Sequence, residues 1–170
     1  IPANIHLAKV VEQVDARVHR EKILHNHLEP IRSKYDFILL DCPPSLGLLS
    51  INAIYTADLI LIPTSYGKYS LDGISDLFES IEDVKENQSF DYLILRNMFD
   101  ARNKQTNDYI ESQLDPFKDH VLKTIIRKTE AINQAQMLNE PVFTSFGKTH
   151  AAEDFKTLTQ EVIKNGNSQR

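Results

Sequence analysis

Cysteine is all but missing: Cys42 is the only one in 170 residues. A lone thiol rules out an intrachain disulfide and leaves no cysteine pair at metal-ligand spacing, a usage that suits a reducing cytoplasm. Glycine is nearly as sparse. Its five copies stand singly at 47, 67, 73, 147 and 166, so the chain holds no Gly-x-x-x-x-Gly-Lys-Ser/Thr loop of the kind that cradles phosphates. Apolar runs are short, and none approaches the length of a membrane span. Positive charge is in deficit: 19 Lys and Arg against 24 Asp and Glu give a formal net charge of −5. With a pI near 5.7, no global field draws the protein to nucleic acid, and any such contact must come from a local patch. Internal repeats and low-complexity segments are absent. So are an initiator methionine and the regions of a signal peptide; a chain that opens on Ile1-Pro2 reads as cut rather than as a native beginning.

What is present is an ordinary globular composition, 41% hydrophobic and 25% charged, long enough to bury the core of one domain. The focal stretch lies between Tyr35 and Gly47, where the unbroken apolar run Phe37-Ile38-Leu39-Leu40 ends on Asp41. Four large apolar residues without alternation predict a strand buried on both faces, as in a parallel sheet, whose ligands bind at the carboxyl ends of its strands. Asp41 then stands where a metal or phosphate site would be built, with Pro43 and Pro44 fixing the loop behind it. Taken alone, the same acid could equally form a turn or cap a helix.

Further strands are predicted at 59–62, closed by Pro63, at 92–95 and at 121–126. Helices are predicted over 7–33, broken once and ended at Pro30, over 48–57 with Ser50 and Asn52 as polar interruptions, and over 72–87. Another carries Tyr109, Ile110 and Leu114 inward, a short one reaches Leu138, and the last covers 149–164. This alternation predicts an α/β fold, a doubly wound, mainly parallel sheet with helices on both faces. Residues 1–164 form its single domain and 165–170 a polar, disordered tail. His19, His25 and His27 read as surface residues, since 25 and 27 do not share a helical face and no carboxylate pair completes a ligand set.

The string Asp41-Cys42-Pro43-Pro44-Ser45-Leu46-Gly47 closely resembles the Walker B segment of the ParA/Soj partition ATPases, part of the deviant Walker A family that also contains MinD. The resemblance covers residues 1 to about 163. It implies a P-loop NTPase-like fold whose N-terminal portion, carrying the phosphate loop, precedes Ile1, so the chain as given is N-terminally truncated and inactive alone. It also implies that Asp41 is the catalytic residue and holds the magnesium of bound ATP through a water, that Pro43 and Pro44 sense the terminal phosphate, and that Cys42 has no chemistry. Asn97 and Met98 match positions lining the adenine pocket, although an Asn there could simply end a strand in a turn. Arg127 resembles the arginine of an Ile-Pro-Arg segment, but Ile125-Ile126-Arg127-Lys128 lacks its proline. After Pro63, Ser65-Tyr66-Gly67-Lys68-Tyr69-Ser70 departs from the Gln-x-Glu-Tyr-Tyr pattern of many relatives.

By the same resemblance the parent is a cytoplasmic, nucleoid-associated ATPase that segregates plasmids or chromosomes with a ParB-like partner. It binds non-specific DNA as a nucleotide-bound homodimer. Arg102, Lys104, Lys128 and Lys148 are the candidate DNA-binding residues; singly each reads as solvated charge, and together they form a patch. MinD reaches membranes through a basic amphipathic C-terminal helix, whereas residues 162–170 offer no apolar face to insert, so no membrane contact is expected. The alternative is a non-catalytic regulatory or binding module of the same fold. Loss of a central strand would expose sheet edges, which predicts poor stability, aggregation or completion by another chain.

Overall fold

The computed structural model describes residues 6–66, 72–86 and 89–167. The chain divides into two units, Ile1–Ile60 with Ser75–Asp91 and Leu61–Ile74 with Tyr92–Arg170.

In the first unit, α1 (His6–Asp15), a 3-10 turn (Arg20–Lys22), α2 (Ile23–Leu28) and a second 3-10 turn (Glu29–Lys34) replace the long helix predicted over 7–33. His19 interrupts it with a left-handed φ of 59°. Pro30 opens the second turn rather than ending the helical stretch, because a first-turn N–H has no intrahelical partner to lose. α3 (Leu48–Thr56) forms as predicted. Its supposed polar interruptions prove to be buried joints. Asn52 donates to the carbonyls of Arg20 (2.8 Å) and Leu48 (2.9 Å) and accepts from the Leu24 N–H (3.0 Å). Lys85 reaches the carbonyls of Tyr55 (3.3 Å) and Ala57 (2.9 Å), closing the C-terminal end of α3. α4 (Asp72–Val84), which lies in this unit from Ser75 onward, forms within the helix predicted over 72–87, with Ile74 and Ile81 buried. Asn87, the last residue of that predicted helix, lies outside the described residues.

The buried strand expected before Asp41 is not there. Residues 35–47 are irregular, Phe37 and Ile38 are exposed, and Leu39 is 86% exposed. A strand exists only where a neighbour takes up its backbone groups. Among the described residues the sheet has three strands, none of them in this stretch.

That sheet belongs to the second unit for nearly all its length. It consists of β1 (Leu59–Ser65), β2 (Asp91–Phe99) and β3 (Val121–Arg127) in the order β1-β2-β3, with β2 and β3 parallel. Helices link successive strands: α4 between β1 and β2, α5 (Lys104–Leu114) between β2 and β3. β1 runs on through Pro63, which was expected to end it, since an edge strand tolerates a missing N–H. Consecutive Ile94 and Leu95 are both buried, as a central strand covered on both faces requires. On one face Leu95, Leu122 and Ile126 form a core with Ile132, Phe155, Leu158 and Val162. On the other, Arg96 reaches Glu111 of α5 (3.1 Å). α5 buries Ile110 and Leu114 but leaves Tyr109 54% exposed, contrary to expectation, because residue 109 falls off the 107–110–114 face.

After β3 come α6 (Glu130–Met137), α7 (Val142–Ser145) and α8 (His150–Asn167), which extends into the stretch expected to be a tail. Gly147 has no alternative: a Cβ there would meet the Phe143 carbonyl oxygen at 2.6 Å. Among the described residues no helix is long and apolar enough to cross a membrane.

Candidate functional site

In the first unit Asp41, Pro43 and Pro44 lie on the exposed segment ahead of α3. The Ser45 N–H donates to the Pro43 carbonyl at 2.8 Å, closing a three-residue turn around Pro44. Buried Ser50 donates to the Ser45 carbonyl, and Ile51 N–H to the Gly47 carbonyl at 3.0 Å, so α3 grips the end of this turn. Proline therefore stiffens the segment and the helix anchors it. Partial burial and the Asp41 carboxylate push the Cys42 thiol up, leaving it protonated and a weak nucleophile.

The second unit brings the ends of β2 and β3 together. Ladder partners run Ile94 with Val121, Arg96 with Ile125 and Phe99 with Arg127, with irregularities in both intervals. Between Arg96 and Phe99, β2 has one residue more than β3, and Met98 takes up the excess with a left-handed φ of 59°. The Asn97 side chain accepts the Met98 N–H at 2.9 Å, holding that bulge. Asn97 and Met98 are thus the last residues of a strand rather than its following loop, and Met98 is 52% exposed. Lys128 N–H donates to the Phe99 carbonyl at 2.8 Å, placing the exposed Lys128 beside the end of β2.

Arg127 is committed to α8. Its backbone N–H (3.1 Å) and Nε (2.9 Å) donate to Asp154 Oδ2, and its Nη2 to Oδ1 (2.5 Å). Burial pushes the Asp154 carboxyl up, but the bonds from Arg127 outweigh it and hold the carboxyl below its usual range. Glu161 does similar work: it accepts the Lys123 N–H (2.7 Å), the Thr124 N–H (2.9 Å) and the Thr124 hydroxyl (2.5 Å). These partners take the backbone groups that the irregular β3 pairing leaves over. Arg96 serves the carbonyls, donating to Leu122 (2.9 Å) and Lys123 (3.2 Å). Tyr66 donates to Glu111 at 2.6 Å, and burial followed by that carboxylate pushes its phenol up.

The sequence reading did not single out Asp154, Glu161, Asp100 or the Tyr66–Glu111–Arg96 group. One signal was available: Asp154, Leu158 and Glu161 recur at intervals of four and three, which puts two acids on the core-facing side of an amphipathic helix. Arg102, Lys104, Lys128 and Lys148 are all exposed residues of the second unit. Arg102 alone among them forms an ion pair among the described residues, with Asp100 at 2.6 Å. Gly67, Lys68, Tyr69 and Ser70, the rest of the divergent loop after Pro63, lie outside the described residues.

Three strands linked by helices, with β2 and β3 parallel and helices packed against the sheet, define an α/β fold. The structure superposes on cobyrinic acid a,c-diamide synthase from Mycobacterium smegmatis, solved with a bound ATP analog and magnesium, with a TM-score of 0.81 at 23% identity. That match covers 99% of this chain and 64% of the synthase. A family model described as an AAA domain matches residues 1–94. The chain is 35% identical to the sporulation initiation inhibitor protein Soj of Bacillus subtilis, over 98% of its own length and 67% of Soj. It is 32% identical to the chromosome partitioning protein ParA of Myxococcus xanthus, over 96% of its length and 59% of that protein. The chain belongs to the ParA/Soj-type partition ATPases, and it spans about three fifths to two thirds of these relatives.

Proposed function

We propose that the protein binds ATP with magnesium, hydrolyses it, dimerises in the nucleotide-bound state and holds DNA without sequence preference. It partitions plasmids or chromosomes in the cytoplasm, on nucleoid DNA, with a ParB-like DNA-binding partner. The carrying observation is the 35% identity to Soj along 98% of this chain. Asp41 is suited to magnesium: its carboxylate is exposed, no ion pair engages it among the described residues, and Pro43 and Pro44 stiffen the chain beside it. Magnesium takes one or two carboxylates and completes its shell with phosphates and water, so no cluster of protein ligands is needed. When bound, the ion neutralises charge on the phosphates being transferred. In the second unit, Asn97 and Met98 are the residues for the base, together with Arg127 at the end of β3, whose guanidinium Asp154 holds in place, and Arg102, Lys104, Lys128 and Lys148 are those for DNA phosphates.

A fluorescent ATP analogue titrated with magnesium and with EDTA tests the nucleotide reading. Asp41→Asn is expected to weaken the magnesium-dependent affinity by about tenfold or more, the scale of losing one charged ligand. Equal affinity in magnesium and EDTA, unchanged by Asp41→Asn, sinks it. For DNA, the pair Arg102→Glu and Lys104→Glu is expected to abolish retention on a duplex of arbitrary sequence.

A further inference from the structure

Arg102 stands in the turn between β2 and α5 with 86% of its side chain exposed, the posture of a residue waiting for a partner in solution. Its guanidinium fork is nevertheless occupied. Nε donates to Asp100 Oδ1 at 2.9 Å and Nη2 to Asp100 Oδ2 at 2.6 Å. The carboxylate is set in place independently of that fork. Asp100 Oδ1 also accepts the Arg102 backbone N–H at 3.1 Å, and the Asp100 carbonyl accepts from Asn103 N–H and buried Asn107 Nδ2, both at 3.0 Å. The charge of Lys128, at the end of β3, also acts on Asp100. One fixed acid thus sits among the cations assigned to DNA.

A carboxylate and a phosphate offer a guanidinium the same edge, two oxygens spaced for parallel N–H bonds. We propose that Asp100 is a built-in competitor for the DNA backbone, occupying Arg102 so that a phosphate must displace it before this arginine contributes to binding. The inference rests on the reading that Arg102, Lys104 and Lys128 meet DNA. The exchange is shallow, because a solvent-exposed ion pair is weak and screened by salt. Asp100 therefore lowers the grip on DNA without abolishing it, as suits a protein that must bind and let go.

The test is binding of the ATP- and magnesium-loaded protein to a duplex of arbitrary sequence, followed by fluorescence anisotropy over a series of salt concentrations. Asp100→Asn keeps an oxygen for the Arg102 N–H while removing the charge. It is expected to tighten binding by about three- to tenfold and to steepen the log–log salt slope by about one, the signature of one more phosphate contact. Arg102→Ala is expected to weaken the parent affinity by about two- to threefold and to erase the whole gain in the Asp100→Asn background. Should Asp100→Asn melt early, Asp100→Ser retains the same acceptor and is read in its place. Unchanged affinity and slope in a protein that does bind DNA overturn the competitor and leave the DNA reading standing. Failure of both the parent and Asp100→Asn to bind overturns that reading and this inference together.

Discussion

Asn52 commits both amide hydrogens and its carbonyl oxygen inside the first unit, tying α3 to the Arg20 turn and to the start of α2. Truncation to Ala leaves the Leu24 N–H and the Arg20 carbonyl without that partner where water has little access, and such losses cost about 1–3 kcal/mol each when fully buried. Asn52→Ala should therefore lower stability by about 2 kcal/mol in urea denaturation, whereas exposed Asn133→Ala should change it by under about 0.5 kcal/mol. Glu161 gives the pH counterpart. Burial raises its carboxyl, but the hydroxyl of Thr124 and the N–H groups of Lys123 and Thr124 lower it further, so its folded pKa lies below the ordinary 4.5. A carboxyl depressed in the folded state binds protons more readily when unfolded, so its contribution is fully present above pH 4.5 and is lost as pH falls through the folded value. Melting followed from pH 7 downward should show that loss in the parent, and Glu161→Gln should be less stable at pH 7 and flatter in acid. Equal slopes for the two would remove Glu161 from the account.

At the scale of the element, the end of β2 stores strain where the family resemblance places a ligand. Met98 holds a left-handed φ of 59°, which costs an ordinary side chain on the order of 1 kcal/mol and a β-branched one more. Met98→Gly should match or exceed the parent in stability, while Met98→Val should lose about 1–2 kcal/mol; the reverse order would show that the bulge is not maintained in solution. This bulge also marks where the sequence stops being legible. The period-two and apolar-run patterns locate β1, β2 and β3 because side-chain burial repeats along them. They predicted ends at Pro63 and after Leu95, because proline and polar residues punctuate most strands. Both strands run further, β1 because an edge position forgives Pro63 and β2 because the Asn97 side chain takes the Met98 N–H in the irregular stretch beyond Leu95. The opposite error occurred at Phe37–Leu40, where pattern alone cannot supply the neighbour that makes a strand.

Over the whole molecule, local strings were readable and distant pairings were not. The Asp41–Gly47 string identified the family because its chemistry is contiguous, and the comparison with Soj agrees. Arg127 and Asp154, 27 residues apart, meet only through the packing of α8 on β3, so nothing near Arg127 announced that its guanidinium was committed. The same distinction bears on solution behaviour. Phe37 (41% exposed), Ile38 (36%), Leu39 (86%) and Leu46 (44%) place four large apolar side chains in contact with water within ten residues of the first unit. Apolar surface gathered this closely favours association, since covering a leucine side chain recovers about 1.5–3 kcal/mol. The 170-residue chain is therefore expected to associate with rising concentration in sedimentation velocity and to bind a hydrophobic dye. Leu39→Lys removes one such side chain at a position that contributes little to packing, so it should weaken association by about tenfold while leaving the melting temperature nearly unchanged. A monomer that persists across the concentration range, with no dye bound, would show that this segment is covered in solution. Association untouched by Leu39→Lys would place the sticking surface elsewhere, with exposed Met137, Leu138 and Phe143 of the second unit the next to be replaced.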